Sequence, residues 1–462
     1  MRHPQSLHGD DCRMLSAMSL LTDLYQLTMA HAYFELGMND VAVFELNVRQ
    51  LPPNRGFLLA AGLEQAIEYL EQLRFTADDL EFLRGLGTFP QEFLDHLSTV
   101  RFTGSVHAMA EGTPFFAEEP ILRVTAPIAE AQLVESRLLN IVHFQTLIAS
   151  KAVRCVMAAR GKPLVDFGMR RAHEADAALF AARAAYLAGF YGTATVEAGR
   201  RFGIPLSGTM AHSFIEAHDH EEEAFRHFIA SRPEAVTLLI DTYDTQRSAH
   251  RVVVLARELE IRGATRAIHA VRIDSGDLAH ETRAVRDIFD RAGYRHIQIV
   301  LSGGLDEYSI EALVRDGVPM DGFGVGTSLV VSDDAPALNM TYKLEEYAGK
   351  PRRKRSPGKT TWPGAKQVFR ERGACGEMVC DRVALVGEGD RGEPLLAEVM
   401  RAGRRIAATP GLRQIREYCS RELQSLPPAL RDSGDTHGSD PFPVRISDAL
   451  RELAATMNDG GD

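Results

Sequence analysis

The sequence predicts an α/β fold built on parallel strands. Three observations lead there. Strand and helix patterns alternate from residue 164 to 327, with strands recurring at roughly 25–30 residues, the length of one βα unit. Successive strand-like runs end in glycines, hydroxyls and charges, as barrel strands do where they build a site. The composition, 45% hydrophobic and 25% charged over 462 residues, is that of a globular chain with room for two or three domains.

Residues 1–17 precede the first patterned segment and are expected to form a disordered extension. Residues 20–36 read as an amphipathic helix, 41–48 as a strand and 57–73 as a helix, with more helix through 97. Residues 102–124 read as short antiparallel strands broken by Gly104, Gly112, Pro114 and Pro120. A long apolar helix over 129–153 leads into the alternating region. There the expected strands are 164–168, 205–208, 236–241, 267–273, 296–302 and 320–323. The expected helices are 176–189, 195–202, 219–231, 246–259, 278–292 and 307–316. Acidic residues open the 219–231 helix, where the helix dipole favours them. Beyond 327, residues 340–346 read as a strand, and 350–359 carry six cations and no acid. Turn-rich sequence and short strands follow through 398, and 426–443 read as a loop.

Composition narrows the function. A net charge of −11 argues against a broad nucleic-acid surface, so no nucleic-acid partner is expected. No apolar run approaches the roughly 18 residues that span a bilayer, and no membrane partner is expected. No apolar segment follows Arg2, so a secretory signal is not expected either. Five cysteines, an odd number, make no disulfide framework, and a reducing cytoplasm is the simplest location. Cys375 and Cys380, with Cys419 further on, could hold zinc, but the spacing is not C-x2-C and no fourth ligand is evident. No metal ligand set is assigned.

The chemistry concentrates at strand ends. At the end of the 267–273 run stands Arg272, and just after it Asp274, Ser275, Gly276 and Asp277. They are either a surface ion-pair cluster or a site in which Arg272 forks onto a carboxylate or phosphate and the aspartates hold sugar hydroxyls or magnesium. Ser302, Gly303 and Gly304 follow the next strand, and Gly324, Gly326, Thr327 and Ser328 the one after. Either set alone reads as a turn; together they read as a phosphate cradle. His212 lies between Thr209 and Ser213 at another strand end, a place suited to acid–base or nucleophilic work. Phe167 is either core or a platform for a flat ring, with Arg170 and Arg171 supplying charge. The basic run from Lys350 is either a solvated loop or a polyphosphate clamp.

These segments, in this order, resemble the nicotinate phosphoribosyltransferase family. The match runs through residues 22–29, 49–56, 166–171, 208–214, 271–278, 302–304 and 323–328, then Lys343 and 350–364. It is strong over 19–370 and weaker after. The resemblance implies an irregular (β/α) barrel of the type II phosphoribosyltransferases. It also implies an α/β domain made jointly by the N- and C-terminal segments, hence expected domains 18–140, 141–335 and 336–462, the last completing the first. It implies a homodimer with shared active sites. The implied reaction joins nicotinate to 5-phosphoribosyl 1-diphosphate, giving nicotinate mononucleotide and diphosphate, the first step of NAD biosynthesis from nicotinate. ATP, as co-substrate with Mg2+, would be hydrolysed through a phosphohistidine at His212.

By position, the resemblance has Tyr25, from the partner subunit, and Phe167 sandwich the pyridine ring. Arg272 meets the nicotinate carboxylate with Thr209 nearby, and Asp274 holds the ribose or magnesium. Gly303, Gly304, Gly326 and Thr327 bind the 5-phosphate. Arg49, Arg170, Lys354 and Lys359 are further candidates for the diphosphate. The related nicotinamide enzymes carry an aspartate where this chain has Ala194, in the stretch 192–195. A carboxylate there would repel nicotinate, so its absence favours the acid over the amide. The alternatives are a nicotinamide phosphoribosyltransferase and a non-catalytic phosphate-binding barrel.

Overall fold

The computed structural model describes residues 18–232, 236–263, 267–356, 358–389, 392–431 and 441–459. The expected disordered extension, 1–17, and part of the expected 426–443 loop lie outside these residues. The chain divides into two compact units. One takes the chain up to Thr146 with Ala337–Pro427 and the C-terminal segment; the other takes Leu147–Pro336 and the short helix Pro428–Arg431. Among the described residues no helix is long and apolar enough to cross a membrane.

The first unit is held by strand exchange between distant parts of the sequence. Val41–Val48 pairs antiparallel with Pro120–Pro127 on one side and with Met340–Tyr347 on the other, in a seven-stranded sheet. Its residues are buried on both faces between Ala42 and Leu46, which is why it reads as a nearly unbroken apolar run. Phe44 stacks on Tyr342 across the ladder at 4.9 Å. The helices Leu24–Glu35, Ala77–Gly85, Gln91–Thr99 and Ile128–Leu133 bury Leu27, Ala30, Leu83, Phe93, Leu97 and Leu133 in one cluster.

A smaller four-stranded sheet joins Lys366–Arg372 and Met378–Leu385 to Glu393–Pro394 and Val444–Ile446. It carries a fully buried ion pair. Arg370 donates through Nε and Nη2 to both oxygens of Asp381, at 2.9 and 2.5 Å, and through Nη2 to the Pro114 carbonyl at 2.8 Å.

The second unit is the alternating region. Six parallel strands stand in the order Gly192–Thr193, Leu164–Asp166, Gly322–Val325, Gln298–Leu301, Ile268–Ile273, Val236–Leu239. Leu206 adds a parallel bridge to Thr193 at the outer edge. Among the described residues no ladder joins Leu206 to Val236–Leu239, so the curled sheet is an irregular, incompletely paired barrel. Both expectations of the α/β fold, parallel strands and an irregular barrel, hold.

Several elements differ from the sequence reading. Residues 57–73 are not one helix: Leu58–Leu59 pairs with Pro114–Phe115, and the helix Leu63–Gln72 starts only after Gly62, at φ +96°. A Cβ on Gly62 would lie 3.0 Å from the Ile141 carbonyl, so glycine permits both the turn and the contact. The apolar helix near 129–153 breaks at Val134 into Ile128–Leu133 and Glu135–Ala158. The expected strand 205–208 shrinks to the Leu206 bridge; Pro205 has no amide hydrogen to give a ladder. Gly324 lies inside the strand Gly322–Val325, not after it. The helices Leu412–Ser425 and Asp448–Asp459 are additional, masked in the sequence by strongly polar faces.

Arg370→Met leaves Asp381 without its buried counter-charge and should cost the first unit about 3–5 kcal/mol. Urea unfolding followed by circular dichroism reads this; an unchanged midpoint would show that the pair adds nothing.

Candidate active site

The site grows from the C-terminal ends of the parallel strands. Arg272 is the penultimate residue of Ile268–Ile273, 15% exposed at its side chain. Its guanidinium makes three bonds in three directions. Nε donates to Ser302 Oγ at 2.7 Å, Nη1 to Thr209 Oγ1 at 3.0 Å, and Nη2 to Asp274 Oδ1 at 2.6 Å. The Ser302 hydroxyl in turn donates to the same Asp274 oxygen at 2.5 Å. The guanidinium carbon stands 5.3 Å from the Phe167 ring centroid, within reach of a cation–π contact.

Asp274 is therefore a charged acceptor fixed from two sides. Burial pushes its carboxyl up, but the Ser302 and Arg272 hydrogen bonds and the Arg272 and His212 charges outweigh that and hold it below the usual carboxylate range. Its backbone amide donates to Asp241 Oδ2 at 2.9 Å, and Ser275 Oγ donates to the same oxygen at 2.6 Å. The other Asp241 oxygen is buried and has no hydrogen-bond partner among the described residues. That oxygen and Asp274 Oδ2 each lie 4.0 Å from His212 Nε2. His212 Nδ1 lies 3.0 Å from the Thr242 hydroxyl. His212 opens the short helix His212–Glu216 and is partly exposed.

Two glycines let these side chains meet. A Cβ on Gly303, at φ +89°, would fall 1.7 Å from the Asp274 carbonyl oxygen. A Cβ on Gly324 would fall 2.3 Å from two carbons of the Phe167 ring. Phe167 is anchored by its amide, which donates to the Val325 carbonyl at 2.8 Å. Just before it, Asp166 accepts from Thr193 Oγ1 at 2.7 Å and from the Gly168 amide at 2.8 Å. Burial raises the Asp166 carboxyl even against those two bonds.

The structure thus brings Phe167, Thr209, His212, Arg272, Asp274 and Gly303 into one cluster. Gly304 follows at φ +67°, and Thr327 is exposed at the start of Thr327–Val331, after Gly326. Arg170 and Ala194 are exposed, in the turns that follow Leu164–Asp166 and Gly192–Thr193. Tyr25 and Arg49 belong to the other unit. Tyr25 is 47% exposed on Leu24–Glu35, and the Arg49 amide donates to the Asn339 carbonyl at 3.0 Å. Lys354 and Lys359 lie in that unit too.

Sequence reasoning missed Asp241 and Thr242. The available signal was a carboxylate and a hydroxyl just beyond a parallel strand, the same signal that singled out Asp274. Among the described residues no group of three or more histidine, cysteine or acidic side chains could hold a metal. Cys375 is exposed while Cys380 and Cys419 are buried, all as free thiols. The Asp241 and Asp274 oxygens still suit a hard cation. Magnesium commonly takes only one or two carboxylates and completes its shell with water and substrate phosphates.

A parallel barrel with an arginine, carboxylates and a histidine converging at its strand ends, beside glycine loops, defines an anion-binding α/β-barrel protein. Family models place it more narrowly. The N-terminal domain of nicotinate phosphoribosyltransferase matches residues 20–143, the nicotinate phosphoribosyltransferase family 163–356, and the C-terminal domain 386–454. The chain is 50% identical over 436 residues to a nicotinate phosphoribosyltransferase of Mycobacterium tuberculosis, covering 94% of this chain and 92% of that one. It is 43% identical over 362 residues to that of Bacillus subtilis, covering 77% and 73%. In three dimensions it is similar to human nicotinic acid phosphoribosyltransferase, with a TM-score of 0.83 at 28% identity over 95% of this chain and 100% of that one. The chain belongs to the nicotinate phosphoribosyltransferase family.

Because Asp274 titrates below the usual range, the stability it adds is present above about pH 4 and is lost as pH falls through its lowered pKa. Thermal unfolding of the wild type and Asp274→Asn from pH 7 to 3 should show a gap that closes toward the acid end. A gap independent of pH would mean that the charge on Asp274 is not what stabilises the cluster.

Proposed function

We propose that this chain is an ATP-coupled nicotinate phosphoribosyltransferase. It joins the ring nitrogen of nicotinate to C1 of 5-phosphoribosyl 1-diphosphate; the C1–oxygen bond breaks and diphosphate leaves. The observation that carries this reading is the Arg272 fork held beside the Phe167 ring, with Asp274 and His212 within the same cluster. A pyridine ring stacked on Phe167 would set its carboxylate against Arg272 and the Thr209 hydroxyl. Membership of the family supports the same substrates.

The residues divide the work. Asp274 holds the ribose, and Gly303, Gly304, Gly326 and Thr327 take the 5-phosphate through backbone amides. Arg170 meets the diphosphate. Asp241 and Asp274 would hold a magnesium ion, which when bound neutralises diphosphate charge. The transfer passes through an oxocarbenium-like centre, so placing the base and neutralising the leaving group matter more than a protein nucleophile. His212 serves ATP instead. Two carboxylates flank its Nε2 and favour a proton there, leaving Nδ1 as the nucleophile for a phosphoryl group. The phosphohistidine is then hydrolysed, so each cycle releases ADP and phosphate. Tyr25 would close the ring slot from the partner subunit of a homodimer, in the cytoplasm.

Nicotinate should be used roughly 10²-fold or more better than nicotinamide in kcat/KM, because the amide gives the Arg272 fork no carboxylate to bind and Ala194 offers the amide no acceptor. Arg272→Lys should raise the nicotinate KM, since a point charge does not replace the fork. Equal efficiency on both rings would sink the substrate reading.

Incubation with ATP and magnesium should place an acid-labile, base-stable phosphoryl group on His212. His212→Ala should lose ATP hydrolysis and ATP stimulation while keeping slow, ATP-independent formation of the mononucleotide. Loss of transfer at saturating substrates in a folded variant would assign the histidine to the transfer chemistry instead.

A further inference from the structure

One buried cation holds both glycine loops from behind. Lys151 lies in the helix Glu135–Ala158 and is 1% exposed. Its ammonium stands 2.6 Å from Glu307 Oε2, 2.7 Å from Asp333 Oδ1 and 3.0 Å from Asp334 Oδ1. Glu307, fully buried, also accepts from Arg154 Nε at 2.9 Å, and Arg154 Nη2 reaches the Tyr308 hydroxyl at 3.1 Å. Burial works against the Lys151 charge, but the carboxylates outweigh it and hold the ammonium protonated.

Each carboxylate sits just behind a loop of the site. Glu307 opens the helix Glu307–Arg315, which the chain enters directly from Gly303 and Gly304. Asp333 and Asp334 follow Ser332, which ends the helix Thr327–Val331 entered from Gly326. The loops are also tied directly, Ser328 Oγ donating to the Leu305 carbonyl at 2.6 Å. Ser332 is held at φ +47°, a conformation sparsely used by serine, and its hydroxyl donates to the Ala335 carbonyl at 2.9 Å. The second loop is thus fixed in an unusual shape at the point where Lys151 grips it.

Charge does not explain the cluster. Lys151 faces Glu307, Asp333 and Asp334, so its charge is met inside the protein and is not offered to a phosphate. Buried ion pairs are also poor sources of net stability, and their best-attested use is to fix one register among several. What remains is geometry.

We propose that Lys151 is a positioning residue for the sugar 5-phosphate. By drawing Glu307, Asp333 and Asp334 onto one ammonium, it sets the spacing of the 303–304 and 326–328 loops to that of a phosphate monoester. This rests on the reading of those loops as the phosphate cradle.

The test is ribose 5-phosphate binding by calorimetry, with steady-state kinetics, on the full chain. Lys151→Met should raise the Kd for ribose 5-phosphate and the KM for 5-phosphoribosyl 1-diphosphate about tenfold, with the nicotinate KM within about twofold. Asp334→Asn keeps the Lys151–Glu307 pair and should raise the same Kd about threefold; it decides the matter if Lys151→Met does not fold. Unchanged ribose 5-phosphate affinity in a folded variant overturns the proposal. So does a nicotinate KM that rises in step with the sugar's, which is general loosening. A wild-type protein that binds nicotinate but no ribose 5-phosphate would overturn the cradle reading itself.

Discussion

The three-way grip on Arg272 is the constraint on which the rest of the site depends. A guanidinium has five donors in a rigid plane, and here Ser302, Thr209 and Asp274, from three separate strand ends, take one each. Its orientation therefore fixes the mutual placement of those strand ends, and its contact with Phe167 brings in a fourth. Asp274 Oδ1 accepts from both Arg272 and Ser302, so the carboxylate is already ionised and aimed before any ligand arrives. Such preorganisation places the cost of ordering in folding and not in binding or catalysis.

The backbone accommodates this grip through missing side chains. Gly303 is needed because the Asp274 carbonyl occupies the space of its Cβ, and Gly324 because the Phe167 ring does. A glycine at a strand end therefore has two physical explanations, close approach to a ligand and close approach within the protein. For Gly303 and Gly324 the second operates whether or not a phosphate is bound.

Buried charge recurs as a registering device in the other unit. Lys366 lies between Glu45 and Glu345, at 2.9 and 3.6 Å, where strands from the two ends of the sequence meet. Burial and the neighbouring Glu45 push the Glu345 carboxyl up to about 8 even beside that lysine. In the smaller sheet the Arg370–Asp381 pair lies across a hairpin and its long-range tie is the Arg370 bond to the Pro114 carbonyl, while burial and Asp381 push the nearby Glu119 carboxyl well up. Strands far apart in sequence have no turn to set their register, and a buried charge that must find its partner supplies one.

By itself the sequence determined the α/β class, the alternation of strands and helices from 164 to 327, and the polar segment that carries Arg272 and Asp274. Those signals are local: a 3.6-residue or unbroken apolar pattern, a cap, a glycine, a polar residue just past a strand. Asp274 was legible because it shares a segment with Arg272. Asp241 was not, because a lone aspartate after a strand looks like any turn until its carboxylate is seen accepting the Asp274 amide. The break at Val134, the strand Leu58–Leu59 and the loss of pairing at 205–208 depend on contacts with residues distant in sequence. Only the tertiary structure decided that Lys151, on a helix read as merely apolar, would meet Glu307, Asp333 and Asp334. Charge partners more than 150 residues apart leave no periodic trace in the chain.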